Sequence, residues 1–364
     1  MGYLMPGLFE RHDRTRFEVI AVSFGPDDGS EARQRLVKAS DRFIDVQTMS
    51  DADVARLLHE MQVDIVIDRK GYTAGCRPEI LAHRPAPIQV SYLAYPGTLG
   101  ADFVDYVLGD TIVTPFEHQP FFTEKIVQLP GSYQVNDATR KIGDRTWTRR
   151  EAGLPERDFV FCCFNNNYKI TAPVFRIWMR LLQSVKDSVL WLIEDSSETK
   201  QSILQAASTM GIDPARIVFA PRLDHEDHLA RHRLADLFLD TLPYNAHSTA
   251  SDALWAGLPV LTYRGAAFAG RVAASLLHAI GLPELVTESL DDYEALALKM
   301  ATEPAALSAV RQKLAQNRLI YPLFDTDRSR RHIEAAYIAM WDRWQRGESP
   351  GSFECQPMAT PPDD

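Results

Sequence analysis

Between residues 16 and 263 short runs rich in β-branched and aromatic residues alternate with segments of helical periodicity, a rhythm that restricts the chain to an α/β architecture with a largely parallel sheet. "RFEVIAVSF" (16–24), "RFIDVQ" (42–47), "VDIVID" (63–68), "APIQVSYL" (86–93), "DYVLGD" (105–110) and "KIVQLP" (125–130) read as strands. Helices are predicted after Ser30 and Ser50, which take the N-cap position. Residues 131–150 interrupt the rhythm with polar and turn-forming residues and read as a linker. The alternation then restarts with strands "FVFCCF" (159–164), "SVLWLIE" (188–194), "RIVFAP" (216–221), "DLFLD" (236–240) and "PVLTY" (259–263), with helical segments between them. Two such runs in one chain predict two doubly wound domains facing across a cleft. The expected boundaries are a first domain over 1–135, a linker over 136–150, a second domain over 151–320, an amphipathic helix over 321–347 and a disordered tail over 348–364.

Composition narrows the partners. With 364 residues and 45% hydrophobic residues there is material for two cores. The net charge of −10 offers no basic face for nucleic acid or an anionic membrane. No apolar run approaches the ~20 residues of a membrane helix. The four cysteines have no CxxC spacing, as expected of a reduced, cytoplasmic protein.

Two strand-to-helix junctions of the second domain carry chemistry. In open α/β sheets ligands bind beyond the carboxyl ends of the strands, where helix N-termini present N–H groups and partial positive charge. "NAHSTASD" follows the strand ending at Asp240, so Ser248 and Thr249 can offer hydroxyls and amides to phosphate oxygens and His247 a further donor. Asp252, one turn inside, can accept from a ribose diol. Ordinary capping accounts for the same pattern. "CCFNNNYKITAP" places Lys169 just before a helix marked by Thr171 and Pro173, where an ammonium can reach a diphosphate or simply lie exposed in a loop. Both junctions together favour a nucleotide diphosphate. "HEDHLARH" is not HExxH and "DTD" (325–327) precedes a helix, which makes it a cap; neither reads as a metal site. GxGxxG and the P-loop pattern are both absent.

The stretches "KGYTAGCRPEILAHRPAPIQVSYLAYPGTLGADFVDYVLGD", "CFNNNYKI", "LADLFLDTLPYNAHSTASDALWAGLPVLT" and "GRVAASLL" resemble the catalytic region of the protein O-linked N-acetylglucosamine transferases, glycosyltransferase family 41, from about Gly2 to Gly347. The resemblance implies a GT-B fold and metal-free, inverting transfer of N-acetylglucosamine from UDP-N-acetylglucosamine to Ser or Thr of a protein acceptor. It implies that Lys169 contacts the donor diphosphate, that Asn166 stands where the family often has Gln, and that His247, Ser248 and Thr249 lie at the phosphates. Asp252 matches the ribose-binding Asp, His228 a nucleoside contact, and Leu223 and His225 the uracil segment. Asp68, as a catalytic residue, with Tyr72 and Thr73, is expected at the acceptor side, where sheet-end capping is the alternative. The family places tetratricopeptide repeats, a first strand and an acceptor-side His ahead of "GYLMPGLFERH", so the first domain is expected to be incomplete. Another GT-B sugar-nucleotide enzyme, or a UDP-binding module without turnover, would share the same diphosphate chemistry.

Overall fold

The computed structural model describes residues 2–356. Two compact units divide the chain, one built from the residues up to Thr139 together with those from Pro322 onward, the other from Arg140–Tyr321.

The first unit begins with α1 (Pro6–Arg11), β1 (Ile20–Ser23), α2 (Glu31–Ala39), β2 (Arg42–Asp45), α3 (Asp51–Glu60) and β3 (Ile65–Asp68). It continues through α4 (Glu79–Ala82), β4 (Ile88–Ser91), β5 (Tyr106–Asp110) and β6 (Lys125–Leu129). Ser30 and Ser50 cap α2 and α3, their side chains accepting from the amides of Arg33 and Asp53.

The second unit runs β7 (Phe159–Cys163), α5 (Ala172–Ser184), β8 (Ser188–Ile193), α6 (Ser197–Thr209), β9 (Ile217–Ala220), α7 (His225–Arg231) and β10 (Leu237–Leu239). It closes with α8 (Ser248–Ala256), β11 (Val260–Tyr263), α9 (Val272–Ala279), β12 (Val286–Thr287), α10 (Leu290–Thr302) and α11 (Pro304–Asn317). Its six strands are parallel in the order β12-β11-β10-β7-β8-β9, the strand order of a dinucleotide-binding fold, which reverses between β7 and β10. Every residue of β8 and β10 is buried, as a parallel sheet covered on both faces requires.

The chain then returns to the first unit with α12 (Thr326–Gln345), capped by Asp325, whose carboxylate accepts from the Arg328 amide. β13 (Phe353–Glu354) pairs with β6, giving a parallel sheet ordered β13-β6-β5-β4-β3; β1 and β2 form a separate two-stranded sheet. Three boundaries differ from the sequence expectation. The terminal helix packs as part of the first unit, and Phe353 and Glu354 are a strand where composition suggests a tail; residues 357–364 of that tail lie outside the described residues. Polar residues of the expected linker are buried because they are paired: Asn136 Nδ2 donates to the Leu323 carbonyl at 3.0 Å, and Arg140 docks in the second unit.

Candidate functional site

The reversal of strand order between β7 and β10 sets two loops side by side at their carboxyl ends. One carries Asn165 to Lys169, the other Asp240 to His247. Buried Asn165 ties them together: its Nδ2 donates to Thr241 Oγ1 at 2.7 Å and its Oδ1 accepts from Thr249 Oγ1 at 2.8 Å. Asp240 shapes the second loop, accepting from the amides of Thr241 at 2.7 Å and Ala246 at 2.6 Å and from Thr262 Oγ1 at 2.6 Å. Burial pushes its carboxyl up to about 6, against the pull of these hydrogen bonds and of the Lys169 charge.

Lys169 Nζ donates to the Asn245 carbonyl at 2.9 Å and lies 4.1 Å from the centre of the Tyr244 ring. Desolvation lowers its pKa, and the Asp240 charge partly offsets the shift. The ammonium therefore rests on a carbonyl and an aromatic face, contacts that an anion can supplement. Beside it α8 begins at His247, with no side-chain cap hydrogen bond and no acidic residue in its first turn. Plain Ser/Thr capping does not describe this helix start: Ser248 and Thr249 are its first helical residues and the Thr249 hydroxyl is turned to Asn165. The His247 ring stacks on Tyr244 at 4.9 Å, and its Nε2–H donates to the Ala269 carbonyl at 3.1 Å. Burial and the Lys169 charge hold His247 down at about 3, so the ring is neutral with Nδ1 as acceptor and its one N–H already committed. Asn166 is exposed, with Nδ2 donating to Tyr168 Oη at 3.5 Å.

A second cluster surrounds the start of α7. Asp252 forms an ion pair with buried Arg140, and its other oxygen lies 3.4 Å from His225 Nε2. Burial raises its pKa, but the His225 hydrogen bond and the Arg140, His225 and His232 charges outweigh this and hold it at about 2. His228 Nδ1 accepts from Arg231, which leaves the proton on Nε2 as a donor; desolvation and the neighbouring His232 and Arg231 keep the ring neutral, with a pKa of about 2. Leu223, just ahead of α7, is half-buried.

Asp68, Tyr72 and Thr73 are in the first unit. The Asp68 carboxylate accepts from the amides of Lys70 at 2.8 Å and Gly71 at 3.0 Å, holding a turn in which Gly71 takes φ +49°. Thr73 Oγ1 donates to the Lys70 carbonyl at 2.9 Å and half-exposed Tyr72 to the Leu99 carbonyl at 2.7 Å. These bonds make Asp68 a turn-holding group.

Sequence reasoning missed Asn165, Asp240, Tyr244 and Arg140. A carboxylate closing the apolar run "DLFLD" was the available signal for Asp240. Arg140, inside a polar stretch, gave none. Among the described residues no helix is long and apolar enough to cross a membrane, and no group of three His, Cys, Asp or Glu side chains is placed to hold a metal ion.

The sequence pattern of Glycosyl transferase family 41 matches residues 1–147 and 141–333. A probable UDP-N-acetylglucosamine–peptide N-acetylglucosaminyltransferase SEC of Arabidopsis thaliana is 37% identical over 360 residues, 97% of this chain and 37% of that protein. A UDP-N-acetylglucosamine–peptide N-acetylglucosaminyltransferase of Caenorhabditis elegans is 27% identical over 95% of this chain and 40% of its own length. The chain thus spans about two fifths of the curated relatives it matches. Among solved structures, a Thermobaculum terrenum O-GlcNAc transferase variant superimposes with TM-score 0.87 at 31% identity, covering 95% of this chain and 66% of that one. Anabaena HepE in complex with UDP and glucose, at TM-score 0.61 and 12% identity, shares the fold, which is GT-B.

Proposed function

Because the chain belongs to glycosyl transferase family 41, we propose that it takes UDP-N-acetylglucosamine as donor and moves N-acetylglucosamine, with inversion, to Ser or Thr hydroxyls of a polypeptide acceptor. One observation carries the reading: the half-buried Lys169 ammonium lies beside an α8 N-terminus with no side-chain cap, at the point where strand order reverses. Displacement at the anomeric carbon breaks the bond to the β-phosphate oxygen, and negative charge grows on the departing diphosphate. A fixed ammonium and helix amides, already held by Asp240 and Asn165, stabilise that charge without reorganising during the reaction.

In this reading the loop from Leu223 to His228 receives the uridine, with His228 Nε2 as donor. The remaining lone pairs of Asp252 accept from the ribose hydroxyls. His247 acts through its backbone, its ring packed on Tyr244 as a wall for the diphosphate. Asp68 keeps Tyr72 and Thr73 in place, and these two face the acceptor. The test is transfer of radiolabelled sugar from UDP-N-acetylglucosamine to a Ser/Thr peptide library, with UDP-glucose as the competing donor. A β-linked label on peptide hydroxyls is expected. Label recovered only as free sugar, an α-linked product, or equal use of UDP-glucose refutes the assignment.

A further inference from the structure

The second unit holds two buried carboxylates in opposite surroundings. Asp252 faces the Arg140 guanidinium and stays ionised, whereas fully buried Asp240 is held by hydrogen-bond donors that carry no charge. Those donors divide between its two oxygens. Oδ1 takes the amides of Thr241 and Ala246 and lies 3.4 Å from Asn165 Nδ2, while Oδ2 meets the Thr262 hydroxyl at 2.6 Å. The Asp240 carbonyl accepts from Tyr293 Oη at 3.0 Å, and Tyr293 Oη accepts from Trp178 Nε1 at 3.2 Å, so α10 and α5 fix the backbone from behind.

This division lets the carboxylate gain a proton without moving. Thr262 Oγ1 also lies 3.4 Å from the Tyr263 carbonyl. Its hydrogen can turn to that carbonyl while a proton on Asp240 Oδ2 donates back to Thr262 Oγ1, and both loop amides stay on Oδ1. The loop from Thr241 to His247 therefore keeps its shape in either form. Neighbouring charge decides which form is present. Lys169 is the cation facing Asp240, while Cys163 at the end of β7 and Tyr293 of α10 are neutral, since burial pushes the thiol up to about 12 and the phenol well above its ordinary value. His247, which feels the Lys169 charge from the start of α8, is neutral as well. With its carboxyl pushed up to about 6, Asp240 is ionised at neutral pH, and added negative charge nearby favours its protonation. A diphosphate at Lys169 and the α8 amides brings that charge and takes a share of the ammonium's field.

We propose that Asp240 takes up a proton when a diphosphate binds here, so that one buried negative charge gives way to another. The proposal rests on the reading that the donor diphosphate sits at Lys169 and the start of α8. Asp240 is then a positioning residue, shaping the loop through its hydrogen bonds and tuning the site through its charge. The proton comes from solvent to Oδ2 and returns to solvent when the nucleotide leaves. The sign follows: an anion favours the protonated acid, so the donor binds more tightly as pH falls toward 6.

Calorimetry of UDP-N-acetylglucosamine binding, repeated in buffers of different ionisation heat, counts the protons taken up. The sugar-linked diphosphate has no phosphate monoester of its own to titrate near neutral pH. The parent chain is expected to take up a fraction of a proton per site at pH 7 and to bind roughly threefold to tenfold more tightly at pH 6 than at pH 8. Asp240→Asn reproduces the hydrogen bonds of the protonated acid, its amide nitrogen donating to Thr262 and its oxygen accepting from both loop amides. That variant should take up no proton, lose the pH dependence and bind at pH 8 as tightly as the parent does at pH 6. Infrared difference spectra of the parent give a second readout, in which adding the ligand should replace a carboxylate band by a carboxylic-acid carbonyl band. Binding without proton uptake, uptake unchanged in folded Asp240→Asn, or no acid band in the parent overturns this proposal alone. Absence of any binding overturns the donor reading and this proposal with it.

Discussion

Replacing Asp252 by Asn removes one charge from a buried pair. The side chains of Arg140 and Asp252 are 3% and 11% exposed, so the substitution leaves a guanidinium in the interior facing an amide. Breaking a buried pair from one side costs about 3–5 kcal/mol, because the remaining charge stays desolvated. The carboxyl's displacement from 3.8 to about 2 has the same sign and corresponds to on the order of 2 kcal/mol. The two figures weigh different contributions. The amide oxygen still accepts one hydrogen bond from Arg140, so about 3 kcal/mol is the expectation. The sign follows from the depressed folded-state pKa: this stabilisation is present above pH 3.8 and is lost as pH falls toward 2. Urea unfolding of the variant at pH 7 measures the loss. Arg140→Met combined with Asp252→Leu should cost less than Asp252→Asn alone, since neither charge is then stranded. A loss of only a few tenths of a kcal/mol, or a double variant worse than the single one, refutes the buried-pair account.

Three further outcomes are expected. In a variant that remains folded, Asp252→Asn should weaken UDP while sparing inorganic pyrophosphate, as calorimetry with the two ligands would show; equal loss for both would remove the ribose role. His232 is fully buried and depressed to about 4 by desolvation, so its neutral form adds a stability penalty that grows as pH falls from 6.5 to about 4, reaching on the order of 3 kcal/mol; urea midpoints for His232→Phe should be less acid-sensitive than the parent's across that window. Gly257 ends α8 at φ +88°, and a Cβ at this position would meet nothing closer than Arg318 Nη1 at 4.0 Å, so Gly257→Ala should cost about 1 kcal/mol from backbone strain alone in a thermal melt.

Much of the fold was legible because the signals are local. Ser30, Ser50 and Asp325 cap the helices their positions announce, and "FVFCCF" and "SVLWLIE" are strands within a residue or two of their reading. What escaped depends on distant partners. Arg140 sits in a stretch whose polarity suggests a solvated linker, yet a carboxylate 112 residues away draws it into the interior. Phe353 becomes a strand only because β6 offers an edge. The His247 ring reads as a phosphate donor until the Ala269 carbonyl, in a 3-10 turn 22 residues on, claims its proton.

The claim that Lys169 and the start of α8 hold a nucleotide diphosphate is tested most directly by calorimetric titration of the parent chain and Lys169→Ala with UDP and with uridine. Losing one charge-assisted contact should cost on the order of 1.5–3 kcal/mol, so the variant should bind UDP tenfold or more weakly and uridine as before. Unchanged UDP affinity in a folded variant, or an equal loss for uridine, contradicts the account.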